Sequence, residues 1–142
     1  MTATTERVIL NKLSDFPRIV DRKDWSRVGD VFAEGIRFDY GDGGEKQGLP
    51  ALLEQFQTFH DRCSAMQHLI GSVQIEIDGD SAVTRAYVQA RHQGIDDKAN
   101  AFFDTHGEYI DQWQLRPEGW RIVRRDASWS MFQGDPGVLF PS

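Results

Sequence analysis

The spacing of apolar residues predicts helices in the first half of the chain. Apolar side chains recur there every three or four positions, as in one buried helical stripe. The first such set is Val8, Ile9, Leu13, Phe16 and Val20. Pro17 lies inside this pattern and predicts a kink or a break near residues 15–16, because proline donates no backbone hydrogen bond.

Two further helices are predicted before residue 61. Asp24 is suited to cap a short helix that Gly35 ends. That helix would present Trp25, Val28, Val31 and Phe32. A brief strand over residues 36–40 and a glycine-rich loop follow. Pro50 then fits the first turn of a third helix. The apolar residues of this third helix are Leu52, Leu53, Phe56 and Phe59.

The second half of the chain has the alternating pattern of strands. Residues 67–77, 81–93, 100–115 and 119–131 form four such segments, separated by short turns. Short turns join antiparallel neighbours, because parallel strands need long crossovers. Helices followed by a meander of long strands predict an α+β fold, a single domain over residues 1–142 with its helices on one face of a curved sheet.

Strand alternation also predicts which side chains point inward. In 81–93 one face carries Ala86, Val88, Ala90 and His92. In 105–115 one face carries Thr105, Gly107, Tyr109, Trp113 and Leu115, and His106 lies opposite. In 36–40, Tyr40 lies on the apolar face. Small inward residues such as Ala90 and Gly107 leave volume for a cavity, and Trp129, Ala127 and Met131 are candidate wall residues.

His68 is the one histidine whose face the alternation leaves open. The face of Val73, Ile75 and Ile77 continues to Leu69, which places His68 on the opposite, polar side. Gly71 is suited to a β-bulge, however, and a bulge reverses the alternation ahead of it. Taken alone, His68 is a strand-end or structural histidine, or it turns inward at a site.

Composition excludes several classes of protein. The formal net charge of −6 argues against nucleic acid or an anionic membrane surface as a partner. A single cysteine, Cys63, excludes an intramolecular disulfide. The first ten residues lack the pattern of a signal peptide, and no apolar window is long enough to span a membrane. A cytoplasmic location is therefore expected.

Three segments carry a resemblance to a known family. They are VDRKDWSRVGDVFAEGIRFDYGDG over residues 20–43, QHLIG over 67–71 and RHQ over 91–93. Together they resemble the scytalone dehydratase-like, SnoaL-like family of the nuclear-transport-factor-2-like superfamily. Bile-acid dehydratase and hexachlorocyclohexane dehydrochlorinase are also similar. The resemblance implies a cone-shaped, mixed or antiparallel sheet packed against N-terminal helices, an α+β barrel.

The resemblance also implies a catalytic set. Carried over position by position, it comprises Asp21, Tyr40, His68 and His92. The substrate-binding residues that we expect are Tyr109, Ala90, Gly107, Trp129 and Met131. The chain departs from scytalone dehydratase at Val20, where that enzyme has a tyrosine, and at Gly107 and Tyr109, where it has serine and asparagine. The segment after Met131 is shorter than that enzyme's lid, so the catalytic set is better supported than the substrate.

Such a set suits elimination of water from a β-hydroxy carbonyl compound. A neutral histidine is available as a base near pH 7, and an aspartate behind it fixes its tautomer. We expect His68 to be the base held by Asp21 and a protonated His92 to be the acid, although the reverse assignment also fits. Tyr40 would stabilise the enolate. The expected activity is that of a cofactor-independent lyase acting on a hydrophobic polyketide, aromatic or steroid-like molecule.

Several alternatives stay open at this stage. The same base would serve an isomerase or cyclase, and the same fold serves non-catalytic binding modules and oxygenase subunits. A metal triad of His68, His92 and Asp21 fits by residue type, but the resemblance is to metal-free relatives, so no metal is expected. His60 and His106 are expected at the surface or an interface. A homo-oligomer is expected, with a trimer favoured over a dimer.

Overall fold

The computed structural model describes residues 4–140, in two α-helices and one six-stranded sheet. The helices are α1 (Thr5–Asp21) and α2 (Leu49–His60). The strands are β1 (Phe32–Asp39), β2 (Lys46–Gln47), β3 (Ala65–Asp78), β4 (Ser81–Gln93), β5 (Phe102–Arg116) and β6 (Gly119–Gly134). Short 3-10 helices cover Trp25–Asp30, Asp96–Lys98 and Pro136–Val138. The predicted α+β class is confirmed.

The sheet is mixed and has the order β2-β1-β6-β5-β4-β3. The meander from β3 to β6 is antiparallel throughout, as the short turns predict. β1 instead runs parallel to β6 and joins the sheet after the 3-10 helix at Trp25–Asp30. Helix α1 packs against β3 and α2 against β1, so the helices cover one face of the curved sheet.

Helix α1 continues through Pro17 without the predicted break. Its start is capped by Thr4, whose hydroxyl accepts the Arg7 amide at 3.2 Å. Proline costs an interior helix about 3 kcal/mol. Burying one large apolar side chain returns roughly 1.5–3 kcal/mol. Phe16, Ile19 and Val20 are all buried beside the proline, so tertiary packing outweighs it and carries the helix on to Asp21.

The predicted helix from Asp24 to Gly35 is wrong in its second half. Only Trp25–Asp30 is helical, and it is a 3-10 helix to which the Asp24 side chain gives no capping hydrogen bond. β1 begins at Phe32, and the Ile122 amide of β6 donates to the Val31 carbonyl at 2.9 Å. Pairing with β6 buries Phe32, so long-range burial overrides the local helical spacing.

Strand β3 contains the bulge that decides the face of His68. Its register with β4 shifts between Gly71 and Gln74, and Ser72 adopts a positive φ of 51°. Before the bulge the inward positions are even-numbered and include His68; after it they are odd-numbered and include Val73 and Ile75. Of the two faces that the sequence left open for His68, the structure therefore shows the inward one, and the residue is 7% exposed.

Candidate active site

A cavity of about 170 Å³ lies between the helices and the concave face of the sheet. Its wall is mostly aromatic, and its polar residues include three histidines together with Asp42, Gln55 and Thr105. The aromatic residues include Phe16, Tyr40, Phe56, Tyr109 and Trp129; the histidines are His60, His68 and His92. An apolar enclosure with a few convergent polar groups is the usual form of a small-molecule site.

The Asp21–His68 pair is the most tightly defined polar contact of the site. Asp21 is the last residue of α1, and its Oδ1 lies 2.6 Å from His68 Nδ1. Its Oδ2 accepts the backbone N–H of His68 at 3.0 Å. Because an ionised carboxylate only accepts, Nδ1 carries the proton and Nε2 of the neutral ring is free to take one. The two bonds fix both the tautomer and the position of the imidazole.

His92 is held in the same tautomer by the backbone. It lies on the apolar face of β4, 1% exposed, and its Nδ1 lies 2.9 Å from the Phe103 carbonyl oxygen. A carbonyl can only accept, so Nδ1 donates and Nε2 has the lone pair. Burial, with a smaller contribution from the neighbouring His68, lowers the pKa of His92 to about 4. His92 is therefore neutral at pH 7, which reverses the protonation expected of an acid.

His60 belongs to the cavity wall, so the prediction that it lies at the surface or an interface is wrong. It is the last residue of α2, and its ring centroid lies 5.6 Å from that of His68 and 5.9 Å from that of His92. Its Nδ1 lies 2.9 Å from the Phe56 carbonyl oxygen. Burial, reinforced by His68 and His92, lowers the pKa of His60 to about 3.

A signal for His60 exists in the sequence. The buried stripe of α2 runs through Leu52 and Phe56, and a helix brings the residue four positions after Phe56 onto the same face. That residue is His60. Extending the stripe by one turn would have placed it inward.

Tyr40 lies at the cavity immediately after β1 ends at Asp39. Its hydroxyl accepts a hydrogen bond from Arg125 Nη1 at 3.2 Å, which leaves its own O–H to be donated. Burial raises the pKa of Tyr40, although Arg125 opposes that rise. The phenol therefore keeps its proton at neutral pH.

Arg125 and Asp111 form a buried ion pair that the sequence interpretation missed. Both side chains are fully buried, and the guanidinium makes two bonds to the carboxylate, at 2.8 and 2.9 Å. The guanidinium carbon lies 3.9 Å from the ring centroid of Tyr109 and 4.3 Å from that of Phe16. The pair thus anchors aromatic residues of the cavity wall and holds Tyr40.

The predicted substrate-binding residues divide into two groups. Tyr109 and Trp129 line the cavity. Ala90 is buried in β4 but is not among the lining residues. Met131 is 59% exposed on the outer side of the sheet, so its assignment to the wall is wrong.

Gly107 also fails to line the cavity, for a packing reason. A Cβ there would collide with the Ser128 carbonyl and come within 2.7 Å of Trp129 Cε3. The glycine thus admits the close approach of β6, at a shift in the β5–β6 register. It makes room for Trp129 rather than for a ligand.

The triad of His68, His92 and Asp21, which fits a metal site by residue type alone, is not formed, because Asp21 lies behind the His68 ring at Nδ1. Within residues 4–140, the one group whose ligand atoms converge is His60, His68 and His92. In the same part of the chain, no helix is both long and apolar enough to cross a membrane.

A family model for the SnoaL-like domain matches residues 1–126. The chain belongs to the SnoaL-like domain family. Its fold is that of the nuclear-transport-factor-2-like superfamily, as in a member from Salmonella enterica that aligns with a TM-score of 0.79 at 19% identity, over 90% of this chain and 94% of that one.

Two structures from Novosphingobium aromaticivorans are also similar to this SnoaL-like chain. A candidate aromatic ring hydroxylase has a TM-score of 0.82 at 25% identity, over 94% of this chain and 96% of that one. A candidate scytalone dehydratase has a TM-score of 0.78 at 20% identity, over 90% of this chain and 85% of that one. At 20% identity the likeness shows the fold alone.

Proposed function

We propose that this SnoaL-like protein is a lyase that eliminates water from a hydrophobic β-hydroxy carbonyl compound without a cofactor. The observation that carries the proposal is the 2.6 Å contact between Asp21 Oδ1 and His68 Nδ1 beside an apolar cavity. A carboxylate behind a histidine holds the free nitrogen as a base and stabilises the imidazolium that forms.

The proton has a complete path in this arrangement. His68 Nε2 takes the proton from the carbon next to the carbonyl, and the C–H electron pair forms an enolate. Asp21 stabilises the resulting imidazolium. The enolate then expels the β-hydroxyl while the imidazolium returns the same proton to it. One molecule of water leaves, and His68 is neutral again, so His92 need not be an acid.

Tyr40 and His92 would orient the substrate. The free O–H of Tyr40 suits the carbonyl oxygen, and the Arg125 bond to its oxygen strengthens it as a donor when charge develops there. Nε2 of His92, a neutral acceptor, suits the O–H of the departing hydroxyl. That bond would turn the hydroxyl lone pair towards the His68 imidazolium.

The cavity favours an enzyme over a non-catalytic module of the same fold. In a structural module we would expect side chains to fill the interior, whereas here about 170 Å³ remains beside the three histidines. The likeness to a candidate scytalone dehydratase agrees with a lyase, although that likeness extends only to the fold. An isomerase would use the same base and enolate but release no water.

The test is turnover of a panel of hydrophobic β-hydroxy ketones, beginning with the β-hydroxy derivative of α-tetralone. The wild type should release water and form the unsaturated product. His68→Gln should lose on the order of 10²–10⁴ in rate while binding the ketone normally. His106→Gln, which removes a histidine from the outer side of the sheet, is the matched control. Full turnover by His68→Gln would refute the assignment. Migration of the double bond in a β,γ-unsaturated ketone, with no release of water from the hydroxy ketones, would indicate the isomerase.

We further propose that the chain is a homo-oligomer, with a trimer favoured. Leu69, Tyr87 and Met131 are each more than half exposed on the strands β3, β4 and β6. Light scattering at several protein concentrations tests this, and a monomer at all of them would refute it.

A further inference from the structure

The three histidines of the cavity bring their ring nitrogens unusually close together. One ring nitrogen from each of His60, His68 and His92 lies within 4.8 Å of those of the other two. The ring centroids of His68 and His92 are 5.5 Å apart, and their planes are nearly perpendicular. The three residues come from α2, β3 and β4, so the cluster depends on the tertiary fold.

Each ring is held from behind at Nδ1. The acceptors are the Phe56 carbonyl for His60, the Asp21 carboxylate for His68 and the Phe103 carbonyl for His92, at 2.9, 2.6 and 2.9 Å. In each neutral ring Nδ1 is therefore the donor, and Nε2 presents a lone pair. The cluster thus offers three acceptors and no donor of its own.

This is the arrangement that transition-metal ligands have in proteins. A metal-binding histidine almost always donates its other ring N–H to a carboxylate or a backbone carbonyl, which fixes the tautomer and raises the basicity of the ligand nitrogen. All three rings meet that condition here. Imidazole nitrogen suits zinc, copper, nickel and cobalt, and three histidines with one open position is a known zinc arrangement.

The spacing requires only a small closure around an ion. A triangle with sides of at most 4.8 Å has its centre no more than about 2.8 Å from each corner. A Zn–N bond is roughly 2.0–2.1 Å, so each of the three ligand nitrogens has to move by less than about 1 Å. Asp21 stays behind His68 and is a partner of the ligand rather than a ligand itself.

We propose that His60, His68 and His92 bind one divalent transition-metal ion of the zinc class, with its fourth position open to the cavity. A bound ion occupies Nε2 of His68, so the metal-bound protein has no free base there. This consequence rests on the proposed function, whereas metal binding itself does not.

Cobalt titration of the metal-stripped protein tests the site directly. Co²⁺ in a tetrahedral site of this kind gives intense visible absorption, which should saturate at one ion per chain and be displaced by Zn²⁺. Loss of a partner behind a ligand already costs about 10–100-fold in metal affinity, so loss of a ligand should cost at least about 100-fold. We expect that loss in both His60→Gln and His92→Gln, and unchanged affinity in His106→Gln.

Thermal unfolding provides a second measurement of metal binding and also shows whether each variant is folded. An ion that binds only the native state raises its stability, so Zn²⁺ should raise the Tm of the wild type and of His106→Gln but not of the other two variants. Either of those two variants suffices if the other fails to fold. Absence of the cobalt spectrum in the wild type, or tight binding that persists in both variants, would overturn the site.

The two proposals fail separately. Turnover of the hydroxy ketone in the presence of a chelator, with no cobalt binding, would overturn the metal site and leave the lyase intact. Cobalt binding, together with no turnover of any ketone in the panel by the metal-stripped protein, would support the metal site and refute the lyase.

Discussion

Asp111 and Asp21 each hold a basic side chain, and the contrast between these two pairs separates structure from chemistry. Asp111 and Arg125 are both fully buried and joined by two bonds. Asp21 is 19% exposed in its side chain, and its partner His68 lines a cavity. A guanidinium keeps its charge in proteins, whereas an imidazole changes protonation near neutral pH. Only the Asp21–His68 pair can take up and release a proton.

Tyr40 connects the Asp111–Arg125 pair to the cavity that His68 lines. Arg125 donates to the Tyr40 hydroxyl at 3.2 Å, and Tyr40 lines the same cavity as His68. The Asp111–Arg125 pair therefore positions the hydroxyl of Tyr40 as a hydrogen-bond donor, and the Asp21–His68 pair supplies the base. Each pair can be broken separately, and the contrast predicts a different consequence for each.

Breaking the Asp21–His68 pair should have the largest effect on catalysis. Asp21→Asn keeps the shape of the side chain but removes the negative charge that stabilises the imidazolium of His68. It also no longer fixes the tautomer of His68 in which Nδ1 carries the proton. We expect turnover to fall by on the order of 10²–10⁴, with the Tm changed by only a few degrees. Steady-state kinetics on the β-hydroxy ketone measures the turnover, and calorimetry measures the Tm. Normal turnover would contradict the assigned role.

Breaking the Asp111–Arg125 pair should have the largest effect on the free energy of unfolding. Asp111→Asn leaves Arg125 as an uncompensated buried cation, which should cost about 3–5 kcal/mol of unfolding free energy. Asp104→Asn is the control, because it breaks the exposed Arg91–Asp104 pair, worth about 0–1 kcal/mol. Urea denaturation measures both. Replacing both partners, as Asp111→Leu with Arg125→Met, should recover much of the loss; equal effects of the two single variants would remove the contrast.

Tyr40→Phe should affect catalysis with little loss of stability. It removes the proposed donor to the carbonyl, which should lower kcat by about 10²–10³. The lost bond to Arg125 should cost only about 0.5–1.5 kcal/mol. If Tyr40→Phe lost stability but kept its kcat, Tyr40 would only support the Asp111–Arg125 pair and would have no role in catalysis.

The stability of the fold should also depend on pH, because burial lowers the pKa values of His60 and His92. Their folded pKa values, about 3 and about 4, lie below the ordinary histidine value of 6.5. Between about pH 6.5 and 4 the unfolded chain binds protons that the folded chain does not. Stability therefore falls with falling pH, by about 1.4 kcal/mol per pH unit for each histidine. His92→Gln should reduce this slope when urea denaturation is measured at several pH values between about 4 and 6.5.

Local sequence pattern was sufficient to predict much of the fold, but it left the face of His68 open. The meander β3–β6, the stripe of α1 and the position of Pro50 in α2 follow from spacing and turn residues. The bulge near Gly71 explains how a residue out of phase with Val73 and Ile75 turns inward. These features depend on neighbours along the chain.

The features that sequence interpretation missed depend on register between distant segments. Counting back from the β5–β6 turn pairs Trp113 with Ile122, and without the next register shift Asp111 would face Arg124. The shift between Gln112 and Trp113 brings Arg125 opposite Asp111 instead. Nothing local marks which of two adjacent arginines is buried. The parallel pairing of β1 with β6, which begins at Phe32, is missed for the same reason.

The most direct test of the central claim is hydrogen exchange on a ketone that cannot eliminate. α-Tetralone has protons next to its carbonyl but no β-hydroxyl, so incubation in D₂O isolates proton abstraction from the departure of water. The account predicts that the wild type and His106→Gln incorporate deuterium at that carbon, and that His68→Gln binds the ketone without exchanging it. Exchange by His68→Gln at the wild-type rate would contradict the account, because another group would then be the base.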